Sequence, residues 1–346
     1  MRVAILGASH WHVGIYYLPT LQSMDVELVG LADPSAAAFD RVDPEGVYRH
    51  YLDYRTLLEE EQPELVFAHA PHYQMTELAA DLVERGVPFH IEKPAGVDWE
   101  ALAPVARAAR EQGVFNSVAL VNHYMPLVEK LVELRHAGKL GTPAHFYYRL
   151  FAGPADRYRD WGVDWMLDPE QAGAGPLFNF GCHGIDLFRT MTGEEIVEAS
   201  CWATHDLHHE AIEDLASVRL VTTSGAMGTV EVGYVLPGAY ERYFSLTTTA
   251  LHVGGELEQG KIVMRDGEPL PYGGLTADES YAVYTRDVVA RAAAGQPARV
   301  DLTEMVGTLR VMDAAREAMR TGKTVRLDRA AATPPHRRRE AREDAR

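Results

Sequence analysis

The first 120 residues alternate short apolar runs with longer segments in which apolar residues recur every three or four positions. Short runs that are rich in valine, isoleucine and leucine are typical of strands buried on both faces of a sheet. The longer segments predict helices, and a glycine that can end a helix follows directly after residues 76–85 and 99–112. Alternating strands and helices predict a parallel, doubly wound sheet. The predicted strands are residues 2–6, 27–32, 64–68, 88–91 and 115–121.

After residue 122 strands follow one another with few helices between them. This order predicts an α+β domain with a large, mostly antiparallel sheet that has one open face. Its predicted strands are residues 144–151, 198–204, 216–222, 226–234 and 244–253, and its predicted helices are 126–137, 180–191, 280–294 and 303–320. The fold class is therefore α/β, with a first domain over 1–122, a second over 123–330 and a flexible tail over 331–346.

Composition narrows the function. The net charge is −17, from 50 acidic and 33 basic side chains, which argues against a nucleic-acid partner. Two cysteines cannot form a disulfide framework, so we expect a reducing, cytoplasmic environment. No apolar run is long enough to cross a bilayer and the sequence begins with no cleavable leader, so we expect neither a membrane span nor a signal peptide.

The segment Gly-Ala-Ser-His-Trp-His at 7–12 follows the first predicted strand, where a dinucleotide fingerprint stands in doubly wound folds. Only the first of the three fingerprint glycines is present, because Ser9 and His12 occupy the other two positions. The segment is therefore either a simple strand–helix turn or a cofactor site that rests on local donors at the first helix. In the second case the contacts are Gly7, Ser9, His10, Trp11 and His12.

Asp33 favours the interpretation that this segment is a cofactor site. It ends the second predicted strand, the next one after Gly7, near the place where a carboxylate accepts the adenosine ribose hydroxyls. The next residues, Pro-Ser-Ala-Ala-Ala, offer no arginine for a 2′-phosphate, which the carboxylate would also repel. We therefore expect NAD rather than NADP.

Glu92-Lys93-Pro94 follows the strand 88–91, at the carboxyl edge where doubly wound sheets bind ligands. A lysine there can polarise a substrate hydroxyl, although a surface lysine before a proline turn has the same spacing. Histidine suits proton transfer near neutral pH, and His183 is followed three residues later by Asp186. Asn179, four residues before His183, would share its face if all three lay on one helix.

The Glu-Lys-Pro tripeptide together with His183-Gly-Ile-Asp186 resembles the Gfo/Idh/MocA family of oxidoreductases. Further similar stretches, at 70–72, 138–141, 165–169, 173–177, 213–214, 314–315 and 322–325, extend the resemblance over nearly the whole chain. The family implies a Rossmann domain, a second domain with an open sheet, and reversible hydride transfer between a nicotinamide and a hydroxyl carbon of a sugar, cyclitol or similar polyol. It also implies a homodimer or homotetramer assembled through the second sheet.

Carried over residue by residue, the resemblance makes Lys93 the active-site lysine and His183 the proton-transferring histidine. The cofactor contacts then extend to Ala70, Pro71, His72, Glu92 and Lys93, and the substrate contacts are His123, Tyr124, Trp165 and Asp186. The family usually has an aspartate at position 179, whereas this chain has Asn179, which we expect to orient His183 by a hydrogen bond.

Two alternatives remain open. The asparagine and the incomplete glycine fingerprint are also what a redox-inactive relative would show, one that binds a nucleotide or sugar as a sensor or assembly subunit. The chain holds 15 histidines, several of them after predicted strands, so a metal-assisted enzyme is the second alternative. No two of the pocket histidines have the four-residue spacing of a helical metal site, so no metal ligand is assigned.

Overall fold

The computed structural model describes residues 1–238 and 240–328. The predicted tail over 331–346 lies outside these residues. Within them, no helix is long and apolar enough to cross a bilayer.

The first sheet has six strands, all parallel, in the order β3-β2-β1-β4-β5-β6. Its strands are β1 (Arg2–Leu6), β2 (Glu27–Ala32), β3 (His50–Tyr51), β4 (Leu65–Ala68), β5 (Phe89–Ile91) and β6 (Asn116–Val118). The doubly wound prediction is confirmed. The sequence missed β3, because a two-residue edge strand leaves no apolar run, and it extended β6 too far, because residues after Val118 turn into a short helical segment, Val121–Tyr124.

Helices on both faces connect these strands. A π-helical turn, Val13–Tyr17, leads into α1 (Leu18–Gln22), and α2 (Ala37–Val42), α3 (Tyr54–Glu61), α4 (His72–Glu84) and α5 (Trp99–Gln112) follow in chain order. Asp53 caps α3 and Asp98 caps α5 through backbone N–H groups. Gly113 ends α5 in the left-handed conformation, as the sequence pattern predicted.

The second sheet has nine strands in the order β14-β13-β12-β11-β7-β10-β9-β8-β15. Only the β7–β10 pair is parallel in the described part, so the prediction of a mostly antiparallel sheet is confirmed. The strands are β7 (Pro143–Ala152), β8 (Ile196–Thr204), β9 (Leu215–Thr222), β10 (Met227–Gly233), β11 (Tyr240–Thr248), β12 (Leu251–Glu256), β13 (Gln259–Met264), β14 (Leu270–Gly273) and β15 (Val325–Arg326). The single predicted strand 244–253 is wrong, because the chain turns back between Thr248 and Leu251.

Seven helices belong to the described part of this half of the chain, and several are too short for the sequence pattern to show. They are α6 (Pro126–His136), α7 (Arg157–Asp160), α8 (Pro169–Ala172), α9 (Pro176–Asn179), α10 (Gly181–Thr192), α11 (Ala277–Ala293) and α12 (Leu302–Thr321), with a 3₁₀ turn at Asp164–Leu167. Helix α10 covers one face of the second sheet, where Phe188 stacks on Phe146 at 5.0 Å between ring centroids. The last two helices return to the first sheet, and Tyr284 of α11 is fully buried in the core on one of its faces.

Candidate active site

Two clefts open at the carboxyl edge of the six-stranded sheet. The edge cleft runs over the ends of β1, β2 and β4, and the interdomain cleft lies between the loop after β5 and the second domain. The edge cleft is lined by Gly7, Ser9, His10, Asp33, Ala70, Pro71 and Trp165 among the residues singled out from the sequence. The interdomain cleft is lined by Trp11, His12, Lys93, Asn179 and His183.

Gly7 is required by a close approach of two strands. It has a φ of +76°, and a Cβ on it would lie 2.0 Å from the carbonyl oxygen of His69, at the end of β4. Any side chain at this position would therefore push β1 and β4 apart. The fold therefore requires glycine at this position, whether or not a cofactor binds.

Asp33 is 2% exposed at the end of β2 and joins two turns at the edge cleft. Its Oδ2 accepts a hydrogen bond from the backbone N–H of Ser9 at 2.6 Å, and its Oδ1 accepts one from Ser35 at 2.8 Å. Each carboxylate oxygen can accept a further hydrogen bond, so the group can still receive ribose hydroxyls. The carboxylate also fixes the turn that carries the fingerprint.

The structure adds Arg55, which the sequence did not single out, to the edge cleft. Its guanidinium pairs with Asp81 at 3.0 Å from Nε to Oδ2, and its side chain is 45% exposed. Arg55 lies in the first turn of α3, in the strand–helix unit that follows the one containing Asp33, so no local motif joined the two.

Lys93 is 4% exposed and its side chain extends into the interdomain cleft. Its Nζ donates to the backbone carbonyl of Asn179 at 2.8 Å and to the side-chain Oδ1 of the same residue at 2.6 Å. An ammonium group has three donors, so one remains to point at a ligand. The buried lysine is therefore held in a fixed direction by the second domain.

Asn179 binds Lys93 rather than His183, which corrects the sequence prediction. Its Nδ2 donates to the hydroxyls of Tyr158 at 2.7 Å and Tyr234 at 3.1 Å, while its Oδ1 accepts from Lys93. The prediction assumed a single helix, but α9 ends at Asn179 and α10 begins at Gly181. The break between the two helices turns the asparagine away from the face that carries His183.

His183 lies in the same cleft as Lys93. Burial, reinforced by the nearby charges of Lys93 and Arg242, holds the pKa of the imidazole well below its usual range. Its Nδ1 is buried and has no hydrogen-bond partner among the described residues. A neutral imidazole next to a fixed ammonium can accept a proton from a ligand hydroxyl.

Three residues expected to contact substrate pair with one another or with other residues instead. His123 and Asp186 form a contact of 2.7 Å between Nε2 and Oδ2, and the carboxylate raises the pKa of His123 above its usual value even though burial opposes this. The hydroxyl of Tyr124 donates to Asp287 at 2.8 Å. None of the three residues is part of the lining of the interdomain cleft.

Glu92 and His72 are buried behind the clefts and do not line them. Glu92 is fully buried and accepts from Tyr17 at 2.6 Å and from His12 at 2.8 Å. His72 contacts the carbonyl oxygen of Ala172 through Nδ1, and burial lowers its pKa to about 3. Trp165, predicted to contact substrate, lies in the edge cleft and packs edge-on against the His72 ring.

The sequence also missed the aromatic and cationic wall of the interdomain cleft. Trp161 lies 6.0 Å from Trp11 between ring centroids, and Arg157 lies 5.8 Å from the centroid of Trp161. On the other side, the buried Arg242 donates to Asn122 at 2.9 Å and to Glu258 at 2.6 Å. Isolated aromatic and arginine residues carry no spacing signal, so only the fold shows that they share a surface.

Two family models match the chain. Residues 1–120 match the oxidoreductase family with an NAD-binding Rossmann fold, and residues 128–256 match the C-terminal domain of the same family. The chain belongs to the Gfo/Idh/MocA family. It is accordingly an NAD(P)-dependent oxidoreductase, which confirms the resemblance and the enzyme class drawn from the sequence.

Members of the Gfo/Idh/MocA family with curated functions align over nearly the full length of this chain. It is 28% identical to "D-xylose 1-dehydrogenase (NADP(+)) 2" of Haloferax volcanii, over 95% of this chain and the whole of that protein. It is 24% identical to the "Rhizopine catabolism protein MocA" of Rhizobium meliloti, over 92% of this chain and 95% of that protein.

Solved structures of Gfo/Idh/MocA-like proteins share the fold. GenD2 from gentamicin A biosynthesis, in complex with NAD, superimposes with a TM-score of 0.81 at 21% identity, covering 95% of this chain and 96% of that one. The aldose–aldose oxidoreductase of Caulobacter crescentus, complexed with glycerol, gives a TM-score of 0.80 at 17% identity, covering 94% and 99%.

Proposed function

We propose that this protein is an NAD-dependent dehydrogenase or reductase that acts on a hydroxyl carbon of a sugar, cyclitol or similar polyol. The observation that carries the proposal is the pair in the interdomain cleft, where Lys93 is fixed by Asn179 and His183 is kept neutral. The edge cleft, which suits a dinucleotide, opens at the same sheet edge. The sugar dehydrogenase of Haloferax volcanii, aligned over its whole length, supports the substrate class.

The residues of the edge cleft fit a nicotinamide dinucleotide. Gly7, Ala32 and Ala70 leave room for close approach to the backbone, and the cleft lies at the carboxyl ends of parallel strands. The Asp33 carboxylate would receive the ribose hydroxyls and repel a 2′-phosphate, so we assign NAD as the preferred cofactor. Arg55 is a cation in the same cleft, and it would weaken this preference if it left Asp81 for a phosphate.

The chemistry then divides between two side chains. When bound, the nicotinamide supplies the hydride acceptor for alcohol oxidation. Removing a hydride from a secondary alcohol also requires removal of the hydroxyl proton, which neutral His183 accepts. The remaining donor of Lys93 stabilises the oxygen as negative charge develops on it. Asn179 positions Lys93 for this role.

The walls of the interdomain cleft suit a sugar ring. Trp11, Trp161 and Tyr158 offer flat apolar surfaces for ring C–H groups. Arg157 already donates to the carbonyl oxygen of Pro154 at 2.9 Å and to the hydroxyl of Tyr158 at 3.2 Å, and further N–H donors of its guanidinium are suited to hydroxyl oxygens.

Cofactor binding and turnover test the proposal separately. Quenching of tryptophan fluorescence by NADH measures cofactor binding, since Trp165 and Trp11 line the two clefts. Turnover is measured as formation of reduced nicotinamide. The substrates are a panel of aldoses, cyclitols and linear polyols, each supplied with NAD⁺ and with NADP⁺. We expect binding, and turnover with at least one polyol. No binding at millimolar NADH would overturn the cofactor assignment, while binding without turnover across the panel would overturn the reaction.

We further propose a homodimer or homotetramer assembled through the open face of the nine-stranded sheet. Trp202 and Met227 are 60% and 59% exposed, and the strand register places them on this same face. Size-exclusion chromatography coupled to light scattering measures the molar mass in solution. Trp202→Glu is expected to shift this mass toward that of the monomer. A monomeric unmutated protein at micromolar concentration would overturn this.

We also assign the protein to the cytoplasm. Its two cysteines, Cys182 and Cys201, are buried free thiols, which suits a reducing compartment. Cell fractionation of the native host checks this assignment, and recovery outside the cytoplasm would contradict it.

A further inference from the structure

Four histidines lie around Glu92, namely His10, His12, His69 and His90. His10 and His69 also line the edge cleft and His12 lines the interdomain cleft, but none of the four is assigned a step of the proposed hydride transfer. Two of these histidines and Glu92 share one face of the first sheet. The β4–β5 register pairs Phe67 with His90, and the backbone N–H of Glu92 donates to Ala68, so His69 lies alongside Glu92. Alternate residues of a strand face the same way, which brings His90 and Glu92 to one side.

His69 presents a free lone pair. Its Nδ1 lies 3.0 Å from the carbonyl oxygen of Leu6, and because a carbonyl only accepts, Nδ1 carries the proton. Nε2 is then unprotonated in the neutral ring, and it is buried without a hydrogen-bond partner among the described residues.

His90 can adopt the same tautomer. Its Nδ1 lies 2.6 Å from the hydroxyl of Tyr284, which in turn lies 3.1 Å from the hydroxyl of Ser117. Tyr284 can therefore accept from His90 and donate to Ser117. Nε2 of His90 is buried and, within the described residues, has no hydrogen-bond partner.

The third group is the Glu92 carboxylate. The ligand atoms of His69, His90 and Glu92 all lie within 4.8 Å of one another, and all three residues are buried. Its Oε1 accepts hydrogen bonds from Tyr17 and His12, while its Oε2 accepts one from the backbone N–H of Lys93 at 3.1 Å. Oε2 can accept a further contact, so the carboxylate has an oxygen left for a ligand close to the two histidines.

His10 and His12 form a second grouping with Glu92, but the Nδ1 atom of each already has a hydrogen-bond partner. Nδ1 of His10 accepts from the backbone N–H of His12 at 3.2 Å, and Nδ1 of His12 contacts Glu92 at 2.8 Å. His12 thus orients the carboxylate, whereas the Nε2 atoms of His69 and His90 are buried without a partner among the described residues.

We propose that Nε2 of His69, Nε2 of His90 and the Glu92 carboxylate bind a divalent first-row transition metal ion, with zinc as the representative ion. Two imidazoles and a carboxylate are a common ligand set for such ions, which often leave a fourth position to water. Each histidine Nδ1 also has a neighbour that can accept its proton, as metal-bound histidines usually do. His69 lines the edge cleft, so the ion would lie against the wall of that cleft and would fix Glu92, the residue that precedes Lys93. The chemistry assigned to Lys93 and His183 does not require the ion.

The test is metal binding by the folded protein, purified without a histidine tag. Metal-free protein is titrated with Zn²⁺ against a chromophoric chelator, and with Co²⁺ while the visible spectrum is recorded. We expect one equivalent of either ion to bind, a Co²⁺ spectrum with nitrogen and oxygen ligands, and a higher unfolding temperature with Zn²⁺. Neither cofactor nor substrate is present, so the result is independent of the dehydrogenase assay.

His90→Gln and Glu92→Gln should each lose the bound equivalent. His50→Gln is the matched control, because His50 pairs with Asp43 outside this cluster, and it should bind metal like the unmutated protein. Absence of a stoichiometric Zn²⁺ or Co²⁺ site in the unmutated protein would overturn the proposal, whether or not the variants fold. An equivalent that persists in folded His90→Gln and Glu92→Gln would also overturn it, since the ion would then be bound elsewhere.

Discussion

The ammonium of Lys93 donates two hydrogen bonds to one residue, Asn179, at its carbonyl oxygen and at its side-chain oxygen. The lysine comes from the first domain and the asparagine from the second, so the contact joins the two halves of the site. Because the amide is neutral, it directs the lysine without cancelling its charge. The charge remains available to an oxygen in the interdomain cleft.

Lys93→Ala is expected to lower turnover by about a hundredfold or more, because a fixed charge at the reacting oxygen is lost. NADH affinity should change little, since Lys93 lines the interdomain cleft and the dinucleotide is placed in the edge cleft. Steady-state rates and fluorescence titration measure the two effects. An equal loss of both would make Lys93 a structural residue.

His183→Gln is expected to reduce kcat by a factor of about 10² to 10⁴, the usual contribution of a general base. In the unmutated enzyme the pKa of His183 is well below its usual range because of burial, so the histidine stays a base as the pH falls through 6.5. Alcohol oxidation should therefore lose no activity to His183 protonation until the pH is well below that value. A kcat/KM profile that falls with a midpoint near 6.5, and loses this midpoint in His183→Gln, would contradict the placement of the histidine.

Asn179→Asp introduces the aspartate that the family resemblance led us to expect at this position. A carboxylate beside Lys93 offsets the charge that now disfavours protonation of His183, so the pKa of His183 should rise. The acidic limb of the kcat/KM profile should move to higher pH by the same amount. Tyr158→Phe is the matched control, because it removes a hydrogen bond to Asn179 without adding charge. An unshifted profile in Asn179→Asp would show that the two sites are not electrostatically coupled.

Asp33→Ser is expected to shift cofactor use toward NADP, because it removes the charge that repels a 2′-phosphate while Arg55 remains in the cleft. The ratio of kcat/KM for NADP to that for NAD should rise at least tenfold. Loss of the hydrogen bonds to Ser9 and Ser35 will also loosen the turn, so NAD affinity should fall. The double variant that combines Asp33→Ser with Arg55→Ala tests the role of the arginine. If its preference for NADP rises as much as in Asp33→Ser alone, Arg55 does not bind the 2′-phosphate.

The buried histidines make folding stability depend on pH. Burial lowers the pKa of His69 to about 4 and of His72 to about 3, so each stays neutral in the folded state but takes up a proton on unfolding below pH 6.5. Each such histidine costs about 1.4 kcal/mol of stability per pH unit as the pH falls from 6.5 to its folded pKa.

Unfolding temperatures between pH 7.5 and 5 should therefore fall steeply with acidification. His72→Gln, which keeps a donor for Ala172, should reduce the dependence by one proton, and His252→Gln, at an exposed position, should not. An unfolding temperature that is flat over this range would mean that the histidines are already protonated in the fold.

Much of the fold could be predicted from the sequence because strands buried on both faces leave continuous apolar runs. The placement of Lys93 and His183 in one cleft also followed from their motifs. What could not be predicted depended on geometry between segments. The short helix α9 ends at Asn179 and α10 begins at Gly181, and this break reassigns the asparagine from His183 to Lys93. Similarly, nothing local shows that His123 is paired with Asp186, which lies on a different helix.

The edge strand β6 of the first sheet forms hydrogen bonds with residues near the C-terminal end of the described chain. The backbone N–H of Val118 in β6 donates to the carbonyl of Val300 at 3.0 Å, and the side chain of Asn116 accepts from Leu302 at 2.8 Å. During synthesis the cofactor half would thus leave the ribosome first but wait for most of the second domain before its edge strand and its aromatic face are covered. The two halves therefore cannot be expressed as independent fragments. A fragment ending near residue 122 would expose β6 and the apolar surface against which α11 packs.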